Sequence, residues 1–165
     1  MAKRMAVLLA AGMMVVLAGC GGGQPRTDVR QYFGKTGSEI KTMLGEPATP
    51  TEMDRFSAAG LIYRAEECTG LPPLFVELKF AFSDAGHCRS MIGITKGFDT
   101  PEALLESVGL GGLERELISQ DQLGFNYRMP GYALVQVHRP SSLSKSYNSF
   151  TATISKESEQ PDADG

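Results

Sequence analysis

The sequence predicts an α+β fold in which short helices pack on an antiparallel meander sheet. Two capped helix signals, at 36–45 and 100–109, are each followed by runs of β-preferring residues. The turns joining those runs are too short for the crossovers that parallel strands need. Because the plan occurs twice, residues 32–155 read as a single domain with two possible subhalves, 32–97 and 98–155.

Ahead of that domain, Lys3 and Arg4 precede an apolar run from Met5 to Leu17, broken only by Gly12. This is signal-peptide anatomy, and the run falls short of the roughly 20 residues that cross a bilayer. It ends in Leu17-Ala18-Gly19-Cys20, which resembles the lipobox of bacterial lipoproteins. Small residues suit the peptidase, and the thiol can take a diacylglycerol group. Residues 1–19 are therefore expected to be a lipoprotein signal peptide, with Cys20 as the lipidation site anchoring the chain to the envelope. The alternative is an ordinary secretory signal with an accidental cysteine. Gly21 stands where an aspartate would argue for retention at the inner membrane. The expected place is thus the periplasmic face of the outer membrane, in an organism that has one.

Residues 21–31 (GGGQPRTDVRQ) are glycine-rich and polar, so 20–31 reads as a flexible tether. Thr36 and Glu39 have capping-box spacing, and Ile40, Met43 and Leu44 fall on one helical face. Gly45 and Pro47 stop that helix, giving Gly37 to Leu44. Strands are predicted at Leu61 to Arg64, Leu74 to Phe82 and Cys88 to Thr95, with Ser83–Gly86 as a turn. In the second, alternation sets Phe75, Glu77, Lys79 and Ala81 on one face, and Leu74, Val76, Leu78, Phe80 and Phe82 on the other.

Thr100, Pro101 and Glu102 start another helix, with Leu104, Leu105 and Val108 as its apolar side and Gly109 as its end. Leu113 to Leu123 is ambiguous, because Leu113, Leu117 and Ile118 fit a helical face while strand remains open. Strands then follow at Phe125 to Met129, Tyr132 to His138 and Tyr147 to Ser155. Lys156 to Gly165 (KESEQPDADG) is acidic, with Ala163 its one apolar residue, and reads as a disordered tail.

Removing residues 1–19 of the 165 leaves 146, with 14 basic against 19 acidic side chains and a net charge of −5. Nucleic-acid binding draws its affinity from neutralised phosphates, so an acidic chain without a basic cluster is not expected to bind nucleic acid. Besides Cys20, the cysteines are Cys68 and Cys88, an even pair in an oxidising compartment. A disulfide between them would stabilise the fold by about 3 kcal/mol. The alternatives are two buried free thiols, or a metal site adding His87, which supplies only three ligands where structural zinc wants four. Strand rise pulls against the disulfide, since in a simple meander the two cysteines lie near opposite ends of the intervening strand.

The stretch 34–95 resembles the SmpA/OmlA (BamE-like) family of outer-membrane lipoproteins. GKTGSEIKTMLGEP is similar to that family's opening helix, and ELKFAFSDAGHCRSMIGI to its hydrophobic hairpin. Glu66 to Pro73 and residues 97–155 fall outside the match. The resemblance implies an α+β domain near the outer membrane, associated with the assembly or stability of envelope proteins.

No catalytic constellation is expected. Gly34-Lys35-Thr36 invites a phosphate-loop reading, but the pattern needs glycine where Val29 stands. His87 and His138 are the only histidines and read as ordinary surface residues. Neither G-x-S-x-G nor H-E-x-x-H occurs, and no metal or other cofactor is expected. The function expected is that of a non-enzymatic, lipid-anchored module that binds an envelope protein, through an edge strand within 125–155. The alternative is a lipoprotein that binds a small molecule, a lipid or a cell-wall component, and a hydrolase or redox enzyme stands third.

Overall fold

Thr36 opens the first helix as its sequence spacing requires: its hydroxyl accepts from the Glu39 N–H, and the Glu39 carboxylate accepts from the Thr36 N–H. Those two bonds satisfy donors that no helix carbonyl can reach. The computed structural model describes residues 26–49, 60–143 and 145–155. Cys20, the leader 1–19 and the acidic tail 156–165 lie outside them. Helix α1 runs Gly37–Leu44 and buries Ile40 and Leu44. Burial of each stabilises the fold by about 1.5–3 kcal/mol.

Strands β1 (Leu61–Arg64), β2 (Phe75–Phe82) and β3 (Cys88–Phe98) follow, then helix α2 (Pro101–Ser107). Strands β4 (Glu116–Gln120), β5 (Gly124–Arg128), β6 (Tyr132–His138) and β7 (Tyr147–Ile154) complete the chain. All seven form one antiparallel sheet in the order β1-β2-β3-β7-β6-β5-β4. The sheet dominates, with two short α-helices beside it, which is compatible with the α+β class. Its order is two meanders joined where β3 pairs with β7.

One sheet face carries the core. Tyr63, Leu78, Gly93, Phe150 and Val137 form one cross-strand row, and Phe80, Met91, Ala152, Val135 and Tyr127 the next. Tyr32 and Tyr63 both set a ring edge-to-face against Phe80, at 5.4 and 5.8 Å between centroids. Helix α2 lies against β3, β6 and β7 and adds Leu104 and Leu105 to the core. The opposite face is mostly polar, with Lys79, Ile92, Thr151, Gln136 and Asn126 in one row and Ile92 its apolar member. A sheet with one covered face shows this division.

Three expectations are corrected. First, the tether read over 20–31 is shorter. The Thr27 N–H donates to Ser107 O and the Val29 N–H to Val108 O, and Val29–Tyr32 forms a 3₁₀ turn with both end residues buried. Two apolar residues in a polar run give no periodic signal, yet the backbone at Val29 docks on the end of α2 and the Tyr32 ring packs on Phe80. Second, Phe75 and Val76 exchange faces: Phe75 is buried, while Val76 is 49% exposed. A register shift between Phe75 and Glu77 inserts one residue, which reverses the alternation on one side of it.

Third, Cys68 and Cys88 are free, buried thiols, not a disulfide. Cys68 follows β1, whose last residue Arg64 faces Glu77, whereas Cys88 faces Phe82 at the far end of β2. The intervening residues span about 16 Å at strand rise, and a disulfide needs Cα atoms within about 7 Å. The Glu66–Pro73 insertion does not fold back across this distance: the Cys68 thiol donates to Glu46 O at 3.3 Å instead.

Candidate functional site

The two edges of the sheet differ. Along β1 the backbone of Ala48 bonds the middle of the edge, its N–H donating to Ile62 O at 2.6 Å. Arg64 holds that segment in place, donating to Thr49 O at 2.9 Å and to the Glu77 carboxylate at 3.0 Å. Both side chains are largely buried, at 11% and 15% exposure. Strand β4, at the other edge, pairs only with β5 among the described residues. All five of its residues are exposed.

The sequence fixes the position of β4 at both ends. After α2, Gly109 takes a left-handed φ of 82°, and the chain turns through Gly111 and Gly112 before the strand begins. Arg115 donates to Gly111 O at 2.8 Å. At the far end, Asp121 accepts from the Leu123 and Gly124 N–H groups at 2.7 and 2.9 Å. The Asn126 amide donates both to Asp121 and to Ser119. Those bonds to the charged form lower the Asp121 carboxyl below its usual range, the Gly124 N–H contributing most. Arg139 completes the turn: its guanidinium donates to Asp121 O at 2.7 Å and lies 5.0 Å from the centre of the Phe125 ring. The turn that follows the strand is therefore held by the side chains of Asp121, Asn126 and Arg139.

Along this edge Leu117 and Ile118 are 50% and 53% exposed, and Leu123 follows at 71%. A register shift between Leu117 and Ser119 places a bulge at Ile118. Glu116 pairs with Arg128 at 2.9 Å, with both side chains about two-thirds exposed, so that ion pair adds little stability. Two clefts flank the strand. One, of about 450 Å³, is lined by Glu114, Arg115, Glu116, Arg128, Met129 and Pro130. The other, of about 660 Å³, is lined by Gln120, Asp121, Gln122 and Arg139. The arrangement leaves backbone donors and acceptors beside exposed apolar side chains, while the bulge and the flanking charges restrict the ways in which an extended strand can add to it.

The residues singled out from sequence fall elsewhere. His87 sits at the turn before β3, in an isolated bridge with Thr36. His138 is half-buried on the polar face, its Nε2 within 2.9 Å of the Thr151 hydroxyl. Burial lowers its pKa by disfavouring the charged ring, which corrects its reading as an ordinary surface residue. Cys68 and Cys88 do not meet. Among the described residues, no three His, Cys, Asp or Glu side chains converge as a metal site. Cys20 lies outside the described residues. The edge expected within 125–155 is instead β4, at 116–120, because β5, β6 and β7 all have neighbours on both sides.

No protein-family model matches this chain, and no curated protein does. Among solved structures, it is similar to a DUF4309 family protein (YjgB) from Bacillus subtilis subsp. subtilis str. 168. The identity is 14% and the TM-score 0.44, over 73% of this chain and 79% of that one.

Proposed function

We propose that this chain is an exported lipoprotein, anchored through Cys20 at the periplasmic face of the outer membrane, where it binds another envelope protein without catalysing a reaction. The observation that carries the reading is the asymmetry of the sheet. Ala48 bonds the middle of the β1 edge and Arg64 holds the adjoining Thr49, while β4 leaves its outer backbone and two large apolar side chains open. The lipobox-like Leu17–Cys20 supplies the address. The resemblance of 34–95 to the SmpA/OmlA family supports a role in outer-membrane protein assembly or envelope integrity. The strand order supports two similar halves: the last strands of each, β3 and β7, lie side by side and antiparallel, as a two-fold repeat would place them.

A photo-crosslinking residue at position 118 of the full chain, in the membranes of expressing cells, tests the binding edge. Protein adducts are expected from that position and not from position 79 on the polar face; equal capture at both would end the reading. Cys20→Ser tests the anchor, since this variant is expected in the soluble fraction. Its retention in membranes after a high-salt wash would refute lipidation.

A further inference from the structure

We propose that the end of the sheet crossed by residues 30–34 faces the bilayer, held there by a tether too short for the domain to turn over. The inference rests on the anchor at Cys20 and names the face of the domain that this anchor presents to lipid. Residues 21–26 are all that separate Cys20 from Thr27, whose N–H is bonded to Ser107 O. The Val29 N–H donates to Val108 O, and Arg26 pairs with Glu106 at 2.8 Å, so the point where the chain enters the domain is fixed. Whatever their conformation, six residues reach at most about 22 Å.

That entry lies close to one end of the sheet. Arg30, three residues after Thr27, lines a cleft of about 250 Å³ with Phe33, Gly34, Gly131, Tyr132 and Ile154. Phe33 sets its ring edge-to-face against Tyr132, at 5.6 Å between centroids, and the Gly34 N–H donates to Cys88 O. Cys88 and Tyr132 begin β3 and β6, and Ile154 ends β7, so the cleft marks one end of three neighbouring strands. From there the seven residues of β6 run for about 23 Å toward the connection that holds Leu143. An inverted domain would lift the cleft off the bilayer by about that length, which the tether spans only at full stretch. Charge does not select the face. Arg26, Arg30 and Lys35, the cations of 26–35, are each paired with an acid: Glu106, Asp28 and Glu39. Geometry, not attraction to anionic lipid, holds this end in place. Strand β4 starts at the same end, where Glu116 faces Arg128, and runs away from the bilayer. Leu123 and Leu143, 71% and 98% exposed, then stand at the far end, where an envelope partner meets them.

Fluorescence quenching from the lipid side tests this. The full chain, purified from membranes and reconstituted in phosphatidylcholine vesicles, carries a fluorescent amino acid at position 130, in the exposed turn beside the cleft, or at position 143. A nitroxide on the lipid headgroup is expected to quench position 130 several-fold more than position 143. Equal quenching, or stronger quenching at 143, would overturn the proposal. Adding phosphatidylglycerol should leave the ratio unchanged, and a ratio that appears only with this anionic lipid would overturn the tether as its cause. Inserting about twenty glycine and serine residues after Gly22 extends the reach past the whole domain and should bring the two positions close to equal. A ratio that survives the insertion would also overturn the proposal. Far-UV circular dichroism confirms that each variant is folded. A chain that fails to float with the vesicles would strike at the natural anchor alone. Its Cys20 is then a free thiol, and coupling it to a maleimide lipid lets the same measurement decide the orientation.

Discussion

Cys88 is fully buried, and loss of hydration pushes its thiol up to about 12. The reactive species is the thiolate, so this side chain stays inert in the folded protein at neutral pH. Cys68 is buried too and bonds the Glu46 carbonyl. With Cys20→Ser as background, unfolded and unreduced chain is expected to yield two titratable thiols with a thiol reagent, and the folded chain to react far more slowly. A count of zero would restore the disulfide. Glu39 shows the opposite kind of shift. Its carboxylate accepts from the Thr36 N–H, the Lys35 ammonium and the Thr36 hydroxyl, and these bonds hold it at about 2 against an ordinary 4.5. A depressed folded-state pKa gives stability that is complete above 4.5 and lost as pH falls toward 2. Glu39→Gln should flatten that part of the stability–pH curve, read as urea midpoints at pH 5 and pH 2.5. An unchanged slope would remove the capping carboxylate from the account.

At the scale of elements, Gly93 is the place where strand pairing and core packing meet. It faces Phe150 across the β3–β7 pair, and a methyl group there would overlap the Phe150 ring. That ring is fully buried and has little room to move. Gly93→Ala is expected to cost about 1–3 kcal/mol as overpacking, while Gly112→Ala, which meets nothing within 4 Å, should leave the urea midpoint nearly unchanged. Equal effects would mean that the β3–β7 seam tolerates the extra volume. Elements with local chemistry were legible in the sequence: α1 through Thr36, Glu39 and Gly45, α2 through Thr100 and Pro101, and β6 through its alternation. Elements defined by tertiary contact were not. Val29 and Tyr32 carry no period of their own, and the bulge at Val76 reverses a face that alternation alone assigns. The candidate site was the least legible part. Leu113, Leu117 and Ile118 have helical spacing, and a strand exposed along its whole length lacks the buried alternation that would reveal it. The turn built by Asp121 and Gly124 was the signal available, since it marks a hairpin between β4 and β5.

The whole molecule binds its two halves through more than the sheet. From the side of 32–97, β3 meets both β7 and α2; from the side of 98–155, the end of α2 accepts backbone bonds from Thr27 and Val29. Phe150 fills the space that Gly93 leaves, so the two core rows run unbroken across the seam. Neither half can bury its apolar face alone, and a sheet of three or four strands with one bare face is a poor independent unit. The fold should therefore open as one cooperative body even if the two plans share an origin. Native-state hydrogen exchange checks this directly: the slowest amides of β2 and of β6 are expected to exchange with the same free energy, equal to that of global unfolding. Peptides covering 26–97 and 98–155 should each be unfolded when separate and should regain the sheet when mixed. Protection that persists in β2 after β6 has exchanged would show two independent units instead, and the shared core would then contribute far less than its burial implies.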